Sequence, residues 1–341
     1  MGSPRHDIPK LPAQLLVYAA LEDVLRAGAV SCAWRSAANS KTLWEGVRIG
    51  VPSRGGIDLR TLEPALLGSV GLRWCQHMLD CGSSVFPPPC TCSLVHLQER
   101  RLPGHRPLRI LQMNPDALPK KARAMPQGER DAIVGLKVWI ACPLMCWYFA
   151  AGQGRGTVEG RRVCSLGEGV GLLGLCLALH GPSYALLTDG NPLNVSVMKA
   201  NIAVNQIGGP ASIMHVDTAR LRFDRGAARE LLSSPPIGSR LEGLFDVVVA
   251  SDVVYSRTAS DLDALFATVD VLLADHPEAT FFHGYTDRKP ELTASVLKTA
   301  AQHGFQCAEM VPLWCPEEEK KVRSGLADFL LEGELRTLWG V

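Results

Sequence analysis

Gly167, Gly169, Gly171 and Asp189 are the residues of this chain whose types and spacing most clearly suit chemistry. The glycines follow the apolar run Val163-Cys164-Ser165-Leu166, and Asp189 stands at the tip of a second apolar run, Tyr184 to Leu187. Where a strand turns into a helix, glycines leave room for a ligand to rest against backbone N–H groups. A carboxylate at the tip of the next strand has two acceptor oxygens, which suits the paired hydroxyls of a ribose. The arrangement reads as a cradle for a nucleotide cofactor.

Two cofactor classes fit this spacing. Gly169-x-Gly171-x-x-Gly174 satisfies the dinucleotide fingerprint, with Asp189 about 20 residues on, where a ribose-binding acid belongs. Leu166-Gly167-x-Gly169-x-Gly171, with the first glycine directly after the strand, equally suits S-adenosylmethionine. The glycine run alone leaves both open.

Alternating strands and helices must hold these residues. The pattern predicts a strand over Val163 to Leu166, a helix over Leu172 to Leu179, a strand over Tyr184 to Leu187 and a helix over Pro192 to Asn205. It continues with strands near Ser212 to Val216 and over Phe245 to Ser251, a helix over Ala259 to Leu273, a strand over Thr280 to Gly284, a helix over Glu291 to Gly304 and a closing β segment. Pro143 suits the first residue of a helix carrying Leu144, Met145, Trp147, Tyr148 and Phe149, read as core, and Leu108 to Met113 reads as a further strand. This is the signature of an α/β, doubly wound, Rossmann-like sheet, in which ligands bind beyond the carboxyl ends of the strands. Gly167, Asp189 and Asp252 would converge there.

The segments Gly135-Leu136-Lys137-Val138-Trp139, the glycine cradle, Thr188-Asp189-Gly190-Asn191, Asn201-x-x-x-Asn205 and Phe245 to Tyr255 occur in the order of the seven-stranded protein-lysine methyltransferases, which the chain resembles over roughly residues 130 to 310. The calmodulin-lysine branch is similar in its Val-Cys-x-Leu-Gly opening, its Thr-Asp-Gly-Asn tip and a Leu-Arg-aromatic-Asp segment, here Leu221 to Asp224. Elongation-factor-lysine enzymes belong to the same family.

The resemblance implies a seven-stranded methyltransferase sheet, S-adenosylmethionine as cofactor, and transfer of its methyl group to a lysine of a protein by in-line displacement. Gly167, Glu168 and Gly169 would line the methionine and ribose region through backbone contacts, with Gly171 completing the turn. Asp189 would take the ribose hydroxyls, Trp139 and Phe223 would touch the cofactor, and Ser251 would meet it through its backbone. Asp252 would orient the incoming lysine, and Tyr255 would offer a ring face and a hydroxyl. Two positions depart from the family pattern. Ser165 replaces an acidic residue on the first strand, and Phe223 replaces a tryptophan.

Composition narrows the other classes. The chain has 341 residues, 47% of them hydrophobic, enough for one sizeable α/β domain with an extension. Lys+Arg of 35 against Asp+Glu of 34 gives a formal charge of +1, and no basic surplus points to nucleic acid. The 11 cysteines are an odd number without zinc-finger spacing, and Cys164 and Cys176 sit in apolar runs, which suits a reducing compartment. Cys142 and Cys146 share a helix face and read as packing; no HExxH pattern marks a metal site. Asn191 and Asn201 read as caps or braces of the helix after the second strand, and Asn194-Val195-Ser196 as a chance sequon. With no signal core, myristoylation motif or membrane-length apolar run, the expected location is the cytoplasm, with the nucleus also open.

The chain divides into three parts on this reading: a helical segment over 1–50, a linker and accessory region over 51–129, and the methyltransferase domain over 130–341. In the first part, Leu11-Pro12-x-x-Leu15-Leu16, Asp23-Val24-Leu25, Val30 to Arg35 and Leu43-Trp44 resemble an F-box, which implies a Skp-type adaptor of a cullin ubiquitin ligase as partner. An amphipathic helical extension packed on the domain is the alternative for that segment. The corresponding alternative function is a substrate receptor on a catalytically weak or inactive methyltransferase fold. Pro-rich punctuation over Phe86 to Cys90 and Arg101 to Pro107 breaks the linker, where Leu59 to Leu79 could hold a helix.

Overall fold

The computed structural model describes residues 95–102, 104–113, 134–207, 215–234, 237, 243–254, 259–286 and 290–307. The F-box-like segment, the linker helix, Tyr255 and the chain after Cys307, where the closing β segment is expected, lie outside them. Backbone contacts group 98–112 and 133–341 into one compact unit.

Its elements alternate as the pattern requires. After two short strands, β1 (Val95–Arg100) and β2 (Leu108–Met113), come α1 (Ala141–Ala151), β3 (Arg162–Leu166), α2 (Leu172–Ala178), β4 (Tyr184–Asp189), α3 (Pro192–Val204) and β5 (His215–Arg220). Then follow α4 (Arg225–Ser233), β6 (Val247–Ser251), α5 (Ala259–Leu272), β7 (Thr280–Gly284) and α6 (Pro290–Gln302).

β3 to β7 form one parallel sheet in the order β5-β4-β3-β6-β7. The chain runs outward from β3 through β4 to β5, then returns to lay β6 on the other side of β3. That reversal makes the carboxyl ends of β3 and β6 the crevice of a doubly wound sheet. The expected α/β, doubly wound sheet is present, with five of its strands among the described residues.

Burial on both faces explains the parallel arrangement. Cys164, Leu166, Leu186, Val248 and Ala250 pack into a cluster with Leu231 of α4, Leu262, Leu265, Phe266 and Val269 of α5 and Val296 of α6. On the opposite face, Phe282 of β7 meets Phe149 of α1, and Gly174 of α2 lies so close to Leu187 that a Cβ there would stand 2.4 Å from its Cγ. Val247, Val248 and Val249 are at most 1% exposed, and each such side chain contributes about 2 kcal/mol by leaving water.

Several boundaries move from the sequence reading. α1 begins at Ala141, so Pro143 stands in its first turn and not at its first residue. β6 begins at Val247, while Phe245 forms an isolated bridge to Leu273. β5 extends to Arg220, beyond the expected Val216. α4 has no counterpart in the predicted pattern; Asp224 caps it, accepting from Ala227 N at 2.8 Å. β1 was likewise not expected.

Asn201, expected to brace α3, does so together with Asn205 by gripping β2, while Asn191 gives its N–H to Asp189. The Asn205 carboxamide accepts from Arg109 N at 2.7 Å and donates to Arg109 O at 2.6 Å. Two residues along the strand, Asn201 accepts from Leu111 N at 2.7 Å and donates to Leu111 O at 3.1 Å. Asn201 also donates to Val170 O at 2.8 Å, which ties the same helix to the glycine turn. Both side chains are buried, and these bonds satisfy polar groups that would otherwise be costly there.

Candidate active site

Three strand tips define the site. After β3 the chain turns through Gly167, Gly169 and Gly171, at φ of 63°, 59° and 88°, a left-handed conformation that other residues adopt at a cost. Space requires glycine as well. A Cβ on Gly169 would lie 2.3 Å from the Gly135 carbonyl oxygen, and one on Gly167 would lie 2.5 Å from Val253 Cγ1 and 3.5 Å from Phe223 Cζ. The turn therefore gathers three of the segments singled out from the sequence: Gly135 from before α1, Phe223 from after β5 and Val253 from after β6.

Asp189 ends β4 and is 8% exposed. Its Oδ2 accepts from Gly169 N at 2.9 Å, and its Oδ1 accepts from Asn191 N at 2.8 Å and Asn194 Nδ2 at 3.0 Å. Burial raises its pKa, while these three donors oppose the rise. The carboxylate is thus fixed against the glycine turn, with Oδ1 filled by two donors and one acceptor site left on Oδ2.

Glu168 lies inside the turn. Ser165 Oγ donates to its Oε1, and its Oε2 is buried with no hydrogen-bond partner. Burial is the main cause of a pKa pushed up to about 7; Ser165 and the Gly174 N–H pull it down, and the nearby Asp189 pushes it up.

At the tip of β6, Asp252 adopts φ of 53° and is 7% exposed. Its N–H donates to Gly284 O at 2.8 Å, and its carboxylate accepts from Thr286 N at 3.1 Å and Thr286 Oγ1 at 3.3 Å. A non-glycine residue in that region is sparse, and such strain concentrates at functional sites. Ser251 Oγ beside it, and both ring nitrogens of His283 on β7, are buried without hydrogen-bond partners. Burial also lowers the His283 pKa to about 4, so its ring is neutral near pH 7. Trp139 is half-buried, its Nε1 donating to Val134 O at 2.9 Å and the Lys137 ammonium lying 5.0 Å from the ring centre.

Of the expected residues, Gly167, Glu168, Gly169, Gly171, Asp189 and Phe223 gather at the glycine turn, and Ser251 and Asp252 stand at the tip of the adjoining strand. Two participants escaped the sequence reading. Asn194, taken there for part of a chance sequon, is 2% exposed and holds the Asp189 carboxylate; a Cβ on Gly135 would meet its Nδ2 at 1.8 Å. The Glu168 side chain is the other, since only its backbone was expected to matter. Its position three residues after Ser165 was the available signal.

The profile of the lysine methyltransferase family matches residues 123–294, half of the chain and the whole of this site. The chain belongs to that family. It is 29% identical over 142 residues to Protein-lysine N-methyltransferase EFM6 of Saccharomyces cerevisiae, covering 38% of this chain and 54% of that protein. It is 32% identical over 102 residues to the calmodulin-lysine N-methyltransferase of Arabidopsis thaliana, covering 29% of each. The chain thus matches at most about half the length of these relatives. Among solved structures, the 16S rRNA N2 methyltransferase RsmC of T. Thermophilus with AdoMet and guanosine aligns at 17% identity and a TM-score of 0.38, over 62% of this chain and 47% of that one. Magnesium protoporphyrin IX methyltransferase of Synechocystis with bound SAH aligns at 18% identity and a TM-score of 0.35, over 56% of this chain and 84% of that one.

Family membership decides between the two cofactor classes: the cofactor is S-adenosylmethionine. The residues present fit it. Gly167 and Gly169 leave no room for a Cβ, a buried carboxylate closes on the turn from β4, and Glu168 Oε2 and Ser251 Oγ are buried polar atoms without partners around it. Among the described residues no cluster of three His, Cys, Asp or Glu could hold a metal, and no helix is long and apolar enough to cross a membrane. Cys146, Cys164 and Cys176 are buried free thiols; burial raises the pKa of Cys146 and Cys164, which leaves them protonated packing groups.

Proposed function

We propose that the chain is an S-adenosylmethionine-dependent protein-lysine N-methyltransferase. The observation that carries this reading is the Asp189 carboxylate, buried at the tip of β4 and bonded to Gly169 N within the glycine turn. When bound, S-adenosylmethionine supplies a methyl carbon on a sulfonium, open to in-line displacement by an amine.

The chain's own residues hold and align. Asp189 accepts from a ribose hydroxyl, the backbone of Gly167, Gly169 and Gly171 allows close approach, Ser251 contributes backbone contact, and Phe223 with Trp139 covers the adenosine. Asp252 attracts and orients the target ammonium, with Tyr255 as its partner from the following segment. A lysine ammonium has a pKa of about 10.4, so one proton must leave before the nitrogen lone pair can attack. Fixing the amine beside Asp252 and excluding water supply the alignment on which the rate depends. The acceptor is a lysine-bearing protein, with calmodulin and elongation factors the first to test, in keeping with the names of the matching relatives.

Incubating purified protein and labelled S-adenosylmethionine with a cell lysate, then mapping the label by mass spectrometry, tests this. The wild type should label lysine. Asp189→Ala should weaken cofactor binding about 100-fold by loss of a charge-assisted hydrogen bond to the ribose and of the carboxylate that holds Gly169 N, measured by calorimetry. Asp252→Ala should bind cofactor within about twofold of wild type yet lose labelling, a loss on the order of 100-fold. Absence of saturable binding in the wild type would overturn the assignment.

A further inference from the structure

Glu168 presents a demand that its own surroundings leave unmet. One carboxyl oxygen takes the Ser165 hydroxyl, and the Gly174 N–H also bonds to the group, but Oε2 is buried with no partner. A buried carboxylate oxygen without a donor is expensive, and a group that persists in this state at a ligand cradle awaits one. It lies between Gly167 and Gly169, both left-handed, and within electrostatic reach of Asp189, the proposed ribose acid. The acid expected on the strand at Ser165 is thus supplied three residues later, with Ser165 as its hydrogen-bond donor.

Building on the methyltransferase reading, we infer that the Glu168 carboxylate is the counter-ion for the positively charged methionyl end of S-adenosylmethionine. Two cations of that end carry the required charge, the α-ammonium and the sulfonium. Either satisfies Oε2 and restores to the buried group the compensation it lacks. Binding therefore draws the carboxyl into its ionised form and releases a proton wherever the free protein still holds one. With a free-protein pKa of about 7, this happens in mildly acidic solution.

Other groups around Glu168 titrate too. The described groups that interact with it electrostatically are Asp189 on β4 and Cys164 on β3. The Cys164 thiol is pushed far above the neutral range by burial and stays protonated. Asp189 is raised by burial and serves the ribose, so its share appears with any adenosine ligand, charged or not.

Calorimetric titration of the full chain separates these shares, using three ligands at about pH 5.5 and about pH 7. S-adenosylmethionine carries both cations, S-adenosylhomocysteine the ammonium alone, and methylthioadenosine neither. Affinity for S-adenosylmethionine should rise about tenfold over this interval, as the ionised fraction of Glu168 rises, beyond any rise for methylthioadenosine. Proton release should be detectable by comparing buffers of different ionisation heat. If S-adenosylhomocysteine shares the excess rise, the ammonium is the partner; if it does not, the sulfonium is, and either result supports the counter-ion. Glu168→Gln should lose the excess rise and bind S-adenosylmethionine about tenfold more weakly at pH 7, with methylthioadenosine affinity unchanged as the check on folding. Ser165→Ala, which removes a donor that lowers the Glu168 pKa, should shift the midpoint of the rise to higher pH. A Glu168→Gln variant that keeps both affinity and pH response would overturn the inference. Wild-type protein that binds none of the three ligands would instead overturn the methyltransferase reading beneath it.

Discussion

Carboxylates stand at both ends of the central strands, and their surroundings differ in kind. At the amino end, Asp246 precedes β6 and meets Arg162 at the start of β3: Arg162 N and Nε reach Oδ2 at 2.9 and 3.1 Å, and the guanidinium reaches Oδ1 at 2.7 Å. His276 Nε2 adds a contact at 3.1 Å. Burial there tends to raise the Asp246 pKa, but Arg162 and His276 outweigh it and hold the carboxyl well below the usual range. At the carboxyl end, the buried Asp189 and the half-buried Glu168 have no cation among their hydrogen-bond donors, and both are raised. One end of the sheet satisfies its charges internally and stabilises the fold. The other holds acids, Ser251 and His283 with unmet polar capacity, which is how a binding edge differs from a structural one.

The comparison would break most visibly at the turn. Gly169→Ala should destabilise the fold by about 3 kcal/mol or more, because a left-handed alanine costs ~1–2 kcal/mol and the Gly135 carbonyl must also move. Urea unfolding measures this, and a cost below about 1 kcal/mol would mean the turn is looser than its geometry implies.

At the amino end, Asp246→Ala should remove about 2 kcal/mol of stability at neutral pH, with cofactor affinity unchanged. The pH sign follows from the lowered pKa. Asp246 contributes fully above the ordinary carboxyl value, and its contribution is lost as pH falls through the folded value. Acid denaturation of the variant should therefore lack part of the wild-type slope below about pH 4. A fall in cofactor affinity would erase the division between the two ends.

Glu168 has the opposite sign. Its raised pKa means that the folded state keeps a proton the unfolded chain has already lost, so its contribution is full below about pH 4.5 and declines as pH rises through about 7. Thermal unfolding at about pH 8 should find ligand-free Glu168→Gln more stable than wild type by about 1 kcal/mol, even as the variant binds cofactor less well. A destabilised variant would mark Glu168 as a structural acid like Asp246.

Local pattern alone makes much of this visible. Thr280–Gly284 needed no correction, because a short apolar run between clear turns leaves little choice. The cradle and Asp189 were readable because turn and acid are fixed by local spacing. α4 was missed because its short run Arg225–Ser233 carries Gly226 and few apolar residues, although Asp224 offered a capping signal. Asn194 and the Glu168 side chain were missed for a deeper reason. Their roles depend on partners brought close by the sheet, and a buried polar residue looks in sequence like a surface one. Ser165 illustrates the same limit: alone it reads as a lost acid, and beside Glu168 it reads as a donor to one.

The grip of α3 on β2 depends on a numerical coincidence. Four residues of helix advance about 6 Å and two residues of strand about 6.6 Å, so two secondary structures of unlike period come into step over that one interval. Asn201 and Asn205 use it to read Leu111 and Arg109 as a neighbouring strand would, amide for amide. Beyond that interval the two rulers diverge, so a single residue added to α3 between the asparagines, or to β2 between their partners, would uncouple the strand from the helix that also anchors Val170 in the glycine turn.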